Sequence, residues 1–459
     1  MTTPPGQQPQ GLERALGLTA LTIFGIGDIL GTGVYGLMGR IAGMTGTAAW
    51  VSCVIAGITA SLTGLTYAEL ASRYPKAGGA AHFCHMVYDN AFVTFFVTFF
   101  VGLSGVFSTA TGARIIGNYA LALFPDAPPI ARDHLVPFVF VFLLGAIAMR
   151  GIVLSSAANA VCTVIEVSGL LLIIALGARF IGSVNYLDFA SAAAPYQGTP
   201  AALLAVSGAS LAFYAFIGFE DLANLSEEVV HPERNVPLGI CLSVVATILV
   251  YCLVALVAVS VMAPAALGES QSPLIDVVRK AAPGFPLWIY TVIPVFAAFN
   301  TALLNLLMTS RLLYGMSRRG LGVLPPLLSY VHPVWRTPVV GVGVAATVIC
   351  VLLLCFRDIK TLASGTSTLL LAVFILLHIA LIRIKRNPAA PRAAFPVPLA
   401  IPVLGVASCA GLLMRQDTTA LRAAAVLGLA ALVVYAVQRI IHGKSGRTRD
   451  GDARRPPRD

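Results

Sequence analysis

The chain has 459 residues, of which 58% are hydrophobic and 11% charged, with a formal net charge of +10. Soluble domains carry about 25% charged residues, and a soluble core could not bury this much apolar surface, so the composition calls for an integral membrane protein. The positive excess does not indicate nucleic acid, because the basic residues lie between apolar segments and in the tail, without an interleaved aromatic pattern.

A helix needs about 20 apolar residues to cross roughly 30 Å of hydrocarbon. Twelve segments are expected to do so: 18–39, 46–71, 91–120, 134–152, 158–180, 201–229, 237–262, 286–316, 338–356, 362–383, 398–414 and 420–441. They form one twelve-helix domain over 18–441, preceded by a polar segment at 1–17 and followed by a basic tail at 442–459, expected to be disordered. The stretch Ala80 to Tyr88 reads as an interfacial helix leading into the third span. Met1 to Gln10 lacks a basic n-region and a cleavage site, so no signal peptide is expected. Twelve crossings put both termini on one side, and 20 of the 30 Lys and Arg residues then share that side, which predicts cytoplasmic termini. The eight cysteines form no C-x-x-C pair and read as small hydrophobes.

The first span is interrupted by glycine: Phe24-Gly25-Ile26-Gly27-Asp28-Ile29-Leu30-Gly31-Thr32-Gly33-Val34-Tyr35, continuing to Gly36 and Gly39. Glycine is a poor helix former, and broken backbone survives at membrane depth only where protein or a water-filled cavity satisfies it. The span runs outward, so a half-helix starting near Gly31 to Gly33 would point unpaired N–H groups and a positive dipole end at mid-membrane, a place for a carboxylate. Close packing of Gly27 and Gly31 against a neighbouring helix is the plainer alternative, but it does not explain an aspartate at the same depth. The sixth span repeats the theme in Phe213-Tyr214-Ala215-Phe216-Ile217-Gly218-Phe219-Glu220-Asp221. It runs inward, so its outer half ends near Phe216 to Gly218 with free carbonyls that favour a cation. Donors at one break and acceptors at the other suit an α-amino acid zwitterion. Irregular spans one and six also fit two inverted five-span repeats, about 18–180 and 201–383, with two extra helices at about 398–441.

These stretches resemble the amino acid–polyamine–organocation (APC) superfamily of permeases. The resemblance rests on GIGDILGTGVY in span one, YAELASRYPKAGG at Tyr67 to Gly79, FYAFIGFED followed by SEEVVHPERNVP at Ser226 to Pro237, and SRLLYGMSRRGLGVLPP at Ser310 to Pro326. It implies an all-α fold of twelve transmembrane helices, a leucine-transporter-type 5+5 inverted repeat with broken helices 1 and 6. By the family pattern, Leu30, Gly31, Thr32 and Gly33 would hold the substrate carboxylate. Carbonyls of Ile26 and Gly27, with those from Phe213 to Phe216 and the break at Ile217 and Gly218, would hold the ammonium. Tyr214 or Phe216 would close over the substrate as an aromatic gate. Glu166 stands where many relatives carry a lysine, a departure that argues against lysine-based coupling.

Carboxylates inside a span are costly unless paired, hydrated or protonated, which makes Asp28, Glu166 and Glu220 candidate proton carriers. Neutralising a cationic substrate or Na+ is the other functional reading, and a polar interhelical contact is the plain one, as it is for Asn300, Thr301 and Asn305. Glu228 and Arg73, with Glu69, Glu227 and Arg311, lie at inner span ends and read either as an inner gate of ion pairs or, more plainly, as solvated helix ends. His82, Cys84 and His85 lack a fourth ligand for zinc, and no Walker A, G-x-S-x-G or H-E-x-x-H motif occurs. The expectation is therefore a permease of a bacterial inner membrane with no cofactor beyond a coupling H+ or Na+. It would carry an amino acid or amine by proton symport; exchange, or a non-transporting sensor or channel, stands as the alternative.

Overall fold

With no water in hydrocarbon to serve the backbone, an apolar chain must close its hydrogen bonds within each segment. The computed structural model describes residues 16–76, 78–123, 128–150, 153–318, 326–335 and 337–452, and it is helical throughout most of that length. Seven helical stretches are long and apolar enough to cross a bilayer, and shorter apolar helices cover Leu18–Ile29, Asp133–Met149, Val339–Cys355, Ala400–Leu413 and Thr418–Val433. These helices coincide with the segments expected from the sequence.

The first segment is two helices, α1 (Leu18–Ile29) and α2 (Thr32–Thr45), followed by α3 (Ala49–Arg73), the short α4 (Gly79–Tyr88) and α5 (Ala91–Leu123). Next come α6 (Val136–Met149) and α7 (Val153–Gly177), then the second divided segment, α8 (Ala201–Phe216) with the short α9 (Asp221–Asn224). The chain continues through α10 (Pro232–Val261), the short α11 (Pro264–Glu269) and α12 (Pro273–Ala281), α13 (Leu287–Arg318) and α14 (Val339–Cys355). It ends with α15 (Ile359–Lys385), α16 (Ala400–Leu413) and α17 (Thr418–Asp452). Helix α17 thus continues past residue 441, where the tail was expected to begin, and 453–459 lie outside the described residues.

Two pairs, α3 with α10 and α5 with α13, pack along much of their length and flank the divided segments; α1 lies on α10 and α7, and α2 on α8 and α11. Tyr67 on α3 is fully enclosed, edge-on to Phe83, Phe219 and Phe374, and so ties α4, the α8–α9 connection and α15 to one point. The N-terminal segment joins the same end of the molecule: Leu16 N donates to Glu228 O at 3.0 Å, and Val230 N to Leu16 O at 2.9 Å.

The last helices are fastened by one buried acid. Glu69 is completely buried and accepts from Arg73 Nη2 (2.6 Å) and Nε (3.1 Å), from Lys385 Nζ (2.6 Å) and from Val397 N (2.9 Å). Lys385 also donates to Val397 O, Arg73 to Pro391 O, and Phe395 N to Ser72 Oγ. Arg73, a gate candidate from the sequence, thus joins the buried acid of its own helix to the 391–397 linker, while Lys385 ties α15 to the same acid. An uncompensated charge left in such a place costs about 3 kcal/mol. Glu69→Gln should lower the thermal midpoint in detergent by far more than Asp358→Asn, which opens the half-exposed Arg40–Asp358 pair. Equal effects on melting would show that the cluster does not hold these helices.

Candidate functional site

The two interruptions face each other. Helix α1 stops at Ile29, where Leu30 N donates to Ile26 O at 2.8 Å, and α2 resumes at Thr32 with no side chain capping its first turn. Helix α8 stops at Phe216, Ile217 is extended, and Gly218 takes φ +134°, a conformation that an L side chain rarely adopts. Crossing here is so close that a Cβ at Gly33 would lie 2.7 Å from Ala215 Cβ, and one at Gly218 2.9 Å from Asp28 O. The glycines are thus needed for backbone to meet backbone, and the open N–H groups of α2 lie beside the carbonyl end of α8.

Tyr251 of α10 joins the two. Its hydroxyl lies 2.7 Å from Ile29 O and 2.8 Å from Ala215 O, so one proton serves carbonyls from both broken helices. A second chain of contacts lies across the breaks: Thr32 Oγ1 to Tyr214 Oη at 3.4 Å, Tyr214 Oη to Ser108 Oγ at 3.3 Å, and Asn305 Nδ2 to Ser108 Oγ at 3.3 Å. Helices α2, α8, α5 and α13 therefore meet through hydroxyls and one amide.

A cavity of about 350 Å³ lies between these elements. Asp28, Gly31, Thr32 and Gly33 border it from the first break, Tyr214, Ile217, Gly218, Glu220 and Asp221 from the second, and Ser108, Thr301 and Asn305 from α5 and α13. It extends past Asn224 to Ala80, Glu228 and Arg311, at the end of the molecule where Leu16 bonds to Glu228. Acidic groups gather along this path. Asp28 is buried near Asp221, and its Oδ2 meets no partner among the described residues. Asp221 Oδ1 accepts from Asn224 Nδ2 at 3.0 Å, and Glu220 Oε2 accepts from Gly218 N at 2.9 Å.

The other expected residues lie outside the cavity lining. The Ile26 carbonyl is taken by Leu30 N, and Gly27 abuts Thr163 of α7. Leu30 is buried in the core. Phe213 packs edge-on to Phe374 with ring centroids 6.2 Å apart, and Phe216 to Tyr251 at 5.1 Å, which leaves Tyr214 as the aromatic side chain of the second break at the cavity. Glu166 of α7 is fully buried behind the first break, with neither oxygen hydrogen-bonded among the described residues, while its backbone carbonyl accepts from Tyr35 Oη at 2.9 Å. Two participants escaped the sequence reading. Asp221 was detectable as a second acid beside Glu220 in an apolar segment; Tyr251, a lone hydroxyl in an apolar run, carried no signal.

The family profile described as amino acid permease matches residues 16–435. The chain is 29% identical over 456 residues, 95% of either chain, to the branched-chain amino acid permease BcaP of Bacillus subtilis. It is 28% identical over 434 residues to the methylthioribose transporter of the same species, covering 87% of this chain and 88% of the relative. Similarity to the chloroplastic cationic amino acid transporter 9 of Arabidopsis thaliana is 30% over 340 residues, 70% of this chain, which spans 58% of that longer relative. These relatives are transporters rather than enzymes. A glycine-interrupted pair of helices around a polar cavity, in an apolar helical chain matched along nearly its whole length, makes this protein a member of the amino acid permease family.

Proposed function

We propose that this protein is a secondary transporter of an amino acid or related amine, working by alternating access across a cell membrane. The observation that carries the reading is the meeting of the α2 N-terminus and the α8 C-terminus at one cavity. A zwitterion's carboxylate would sit on the N–H groups from Thr32 onward and its ammonium at the carbonyl end of α8, each end met by the matching pole of a helix dipole. Tyr214, joined to Thr32 and Ser108, is the aromatic lid of this arrangement.

Twelve crossings in a 5+5 inverted repeat agree with the packing, in which the first divided segment lies on the second, α3 on α10, and α5 on α13. With cytoplasmic termini, the cavity mouth by Leu16, Glu228 and Arg311 is the inner one, and the conformation is inward-facing. Coupling to protons is supported by Asp28 and Asp221, two neighbouring acids that border the cavity, one from each break. Glu220 and the isolated Glu166 are further proton positions. One observation favours a second reading of the same acids: Asp28 lines the cavity and its enclosed Oδ2 has no partner among the described residues, which leaves a charge for a cationic substrate, and several relatives are named cationic amino acid transporters.

Uptake by the purified chain in liposomes under an imposed proton gradient tests transport directly; binding without accumulation would identify a sensor instead. Gly33→Val should abolish uptake, because its side chain would meet the Ala215 backbone and force the two breaks apart; uptake at the wild-type rate would refute the backbone site. Tyr251→Phe removes a bond of about 1 kcal/mol, so substrate affinity should fall roughly fivefold, and unchanged affinity would dismiss the bridge. Asp28→Asn should flatten the pH dependence of uptake for all substrates. Selective loss of cationic substrates, with the pH profile intact, would favour charge recognition over proton carriage.

A further inference from the structure

A second recess, also about 350 Å³, shares no lining residue with the central cavity. The first turns of α8, α15 and α17 converge on it beside the α16–α17 turn. Ser210 Oγ donates to Leu412 O at 2.9 Å, and Gln416 Nε2 to Ser210 O at 3.2 Å, so the turn lies beside Ser210. That is about 13 Å along α8 from its first residue at 1.5 Å per residue. The recess is thus sunk along the side of the bundle. Met44, Leu204 and Leu211 supply its apolar wall, and the flanking helices are exposed as helices bordered by lipid are, with Met414 at the turn and Val403, Leu404, Val426 and Leu429 further along α16 and α17.

Its polar lining is cationic. Lys360 and Arg415 border it, and neither has an acidic partner among the described residues. Arg415 donates Nε and Nη2 to Ser207 Oγ at 3.2 Å, which leaves further guanidinium N–H groups free for a ligand. The one acid in the lining, Asp417, is committed to α17, accepting from Thr419 N at 2.9 Å and Ala420 N at 3.3 Å. Helices α8 and α15 start without a side-chain cap, so their dipoles add positive potential. Gln416, only 5% exposed, presents an Oε1 with no hydrogen-bond partner among the described residues. A matching occupant carries an anionic group for the two cations and a hydroxyl donor for that oxygen.

We propose that this recess holds the phosphoglycerol head group of an anionic phospholipid, its phosphate between Lys360 and Arg415, a head-group hydroxyl on Gln416 Oε1, and its acyl chains along α16 and α17. Basic pockets between membrane helices select such head groups, and the lipid-bordered flank favours a lipid over a dissolved phosphate. The site is independent of the transport reading.

The full chain, placed in phosphatidylcholine nanodiscs with or without phosphatidylglycerol, should gain thermal stability only with the anionic lipid, and native mass spectra should retain one phosphatidylglycerol per chain. The double variant Lys360→Gln/Arg415→Gln should bind it at least tenfold more weakly while melting like wild type in pure phosphatidylcholine. Gln416→Met should erase any preference for phosphatidylglycerol over phosphatidic acid, which lacks the head-group hydroxyl, and this second variant stands as a test if the double variant misfolds. Equal stabilisation by glycerol phosphate or inorganic phosphate would assign a free-anion site and overturn the lipid. Full retention of the adduct in both variants would place the lipid elsewhere.

Discussion

Everything in this structure depends on the rule that a backbone polar group inside an apolar bundle must find a partner. Two helices are interrupted at the middle of their apolar runs, and each break exposes peptide groups that hydrocarbon could not tolerate. They are tolerated because the breaks lie on each other, with Gly33 against Ala215 and Gly218 against Asp28, and because Tyr251 supplies a hydroxyl to carbonyls on both sides. What remains unsatisfied faces a cavity. The helix interruptions and the cavity are therefore one feature, since filling the cavity with side chains would remove both the space and the open dipole ends.

The same rule distributes the charges. Glu69 is buried but fully satisfied by Arg73, Lys385 and a backbone N–H, and it acts as a structural fastener. Asp28 is buried beside the cavity near Asp221, with its Oδ2 unpartnered among the described residues. Glu166 is buried with no hydrogen bond to its oxygens among the described residues, yet stands outside the cavity. A buried acid with complete bonding holds helices together, whereas one with an open oxygen is available to a proton or a cation. That distinction separates residues which look alike as acids in apolar sequence.

Polar groups are also used to connect elements distant in the chain. The Thr32, Tyr214, Ser108 and Asn305 contacts link four helices through weak, exchangeable bonds of 3.3–3.4 Å, next to the tight backbone crossing. Bonds of this kind break at little cost, which suits the change of exposure that the proposed transport cycle requires. The Glu69 cluster, with bonds near 2.6 Å, suits a part of the bundle that stays together.

Hydropathy determined the helical segments, because a length of apolar residues sufficient to span hydrocarbon leaves the backbone few other solutions. Glycine placement located both breaks to within a residue or two: α1 ends at Ile29 and α8 at Phe216, as the runs at Gly31 and Gly218 imply. Only tertiary packing decided which side chains reach the cavity. Phe213, Tyr214 and Phe216 are three aromatics within one turn, and their rotation about α8 sends two into the core against Phe374 and Tyr251. The roles of Arg73, Asp221 and Tyr251 likewise depended on partners some 30 to 310 residues away in the chain. A sequence records the cost of breaking a helix locally, in glycine; it does not record which distant hydroxyl or carboxylate makes that break stable.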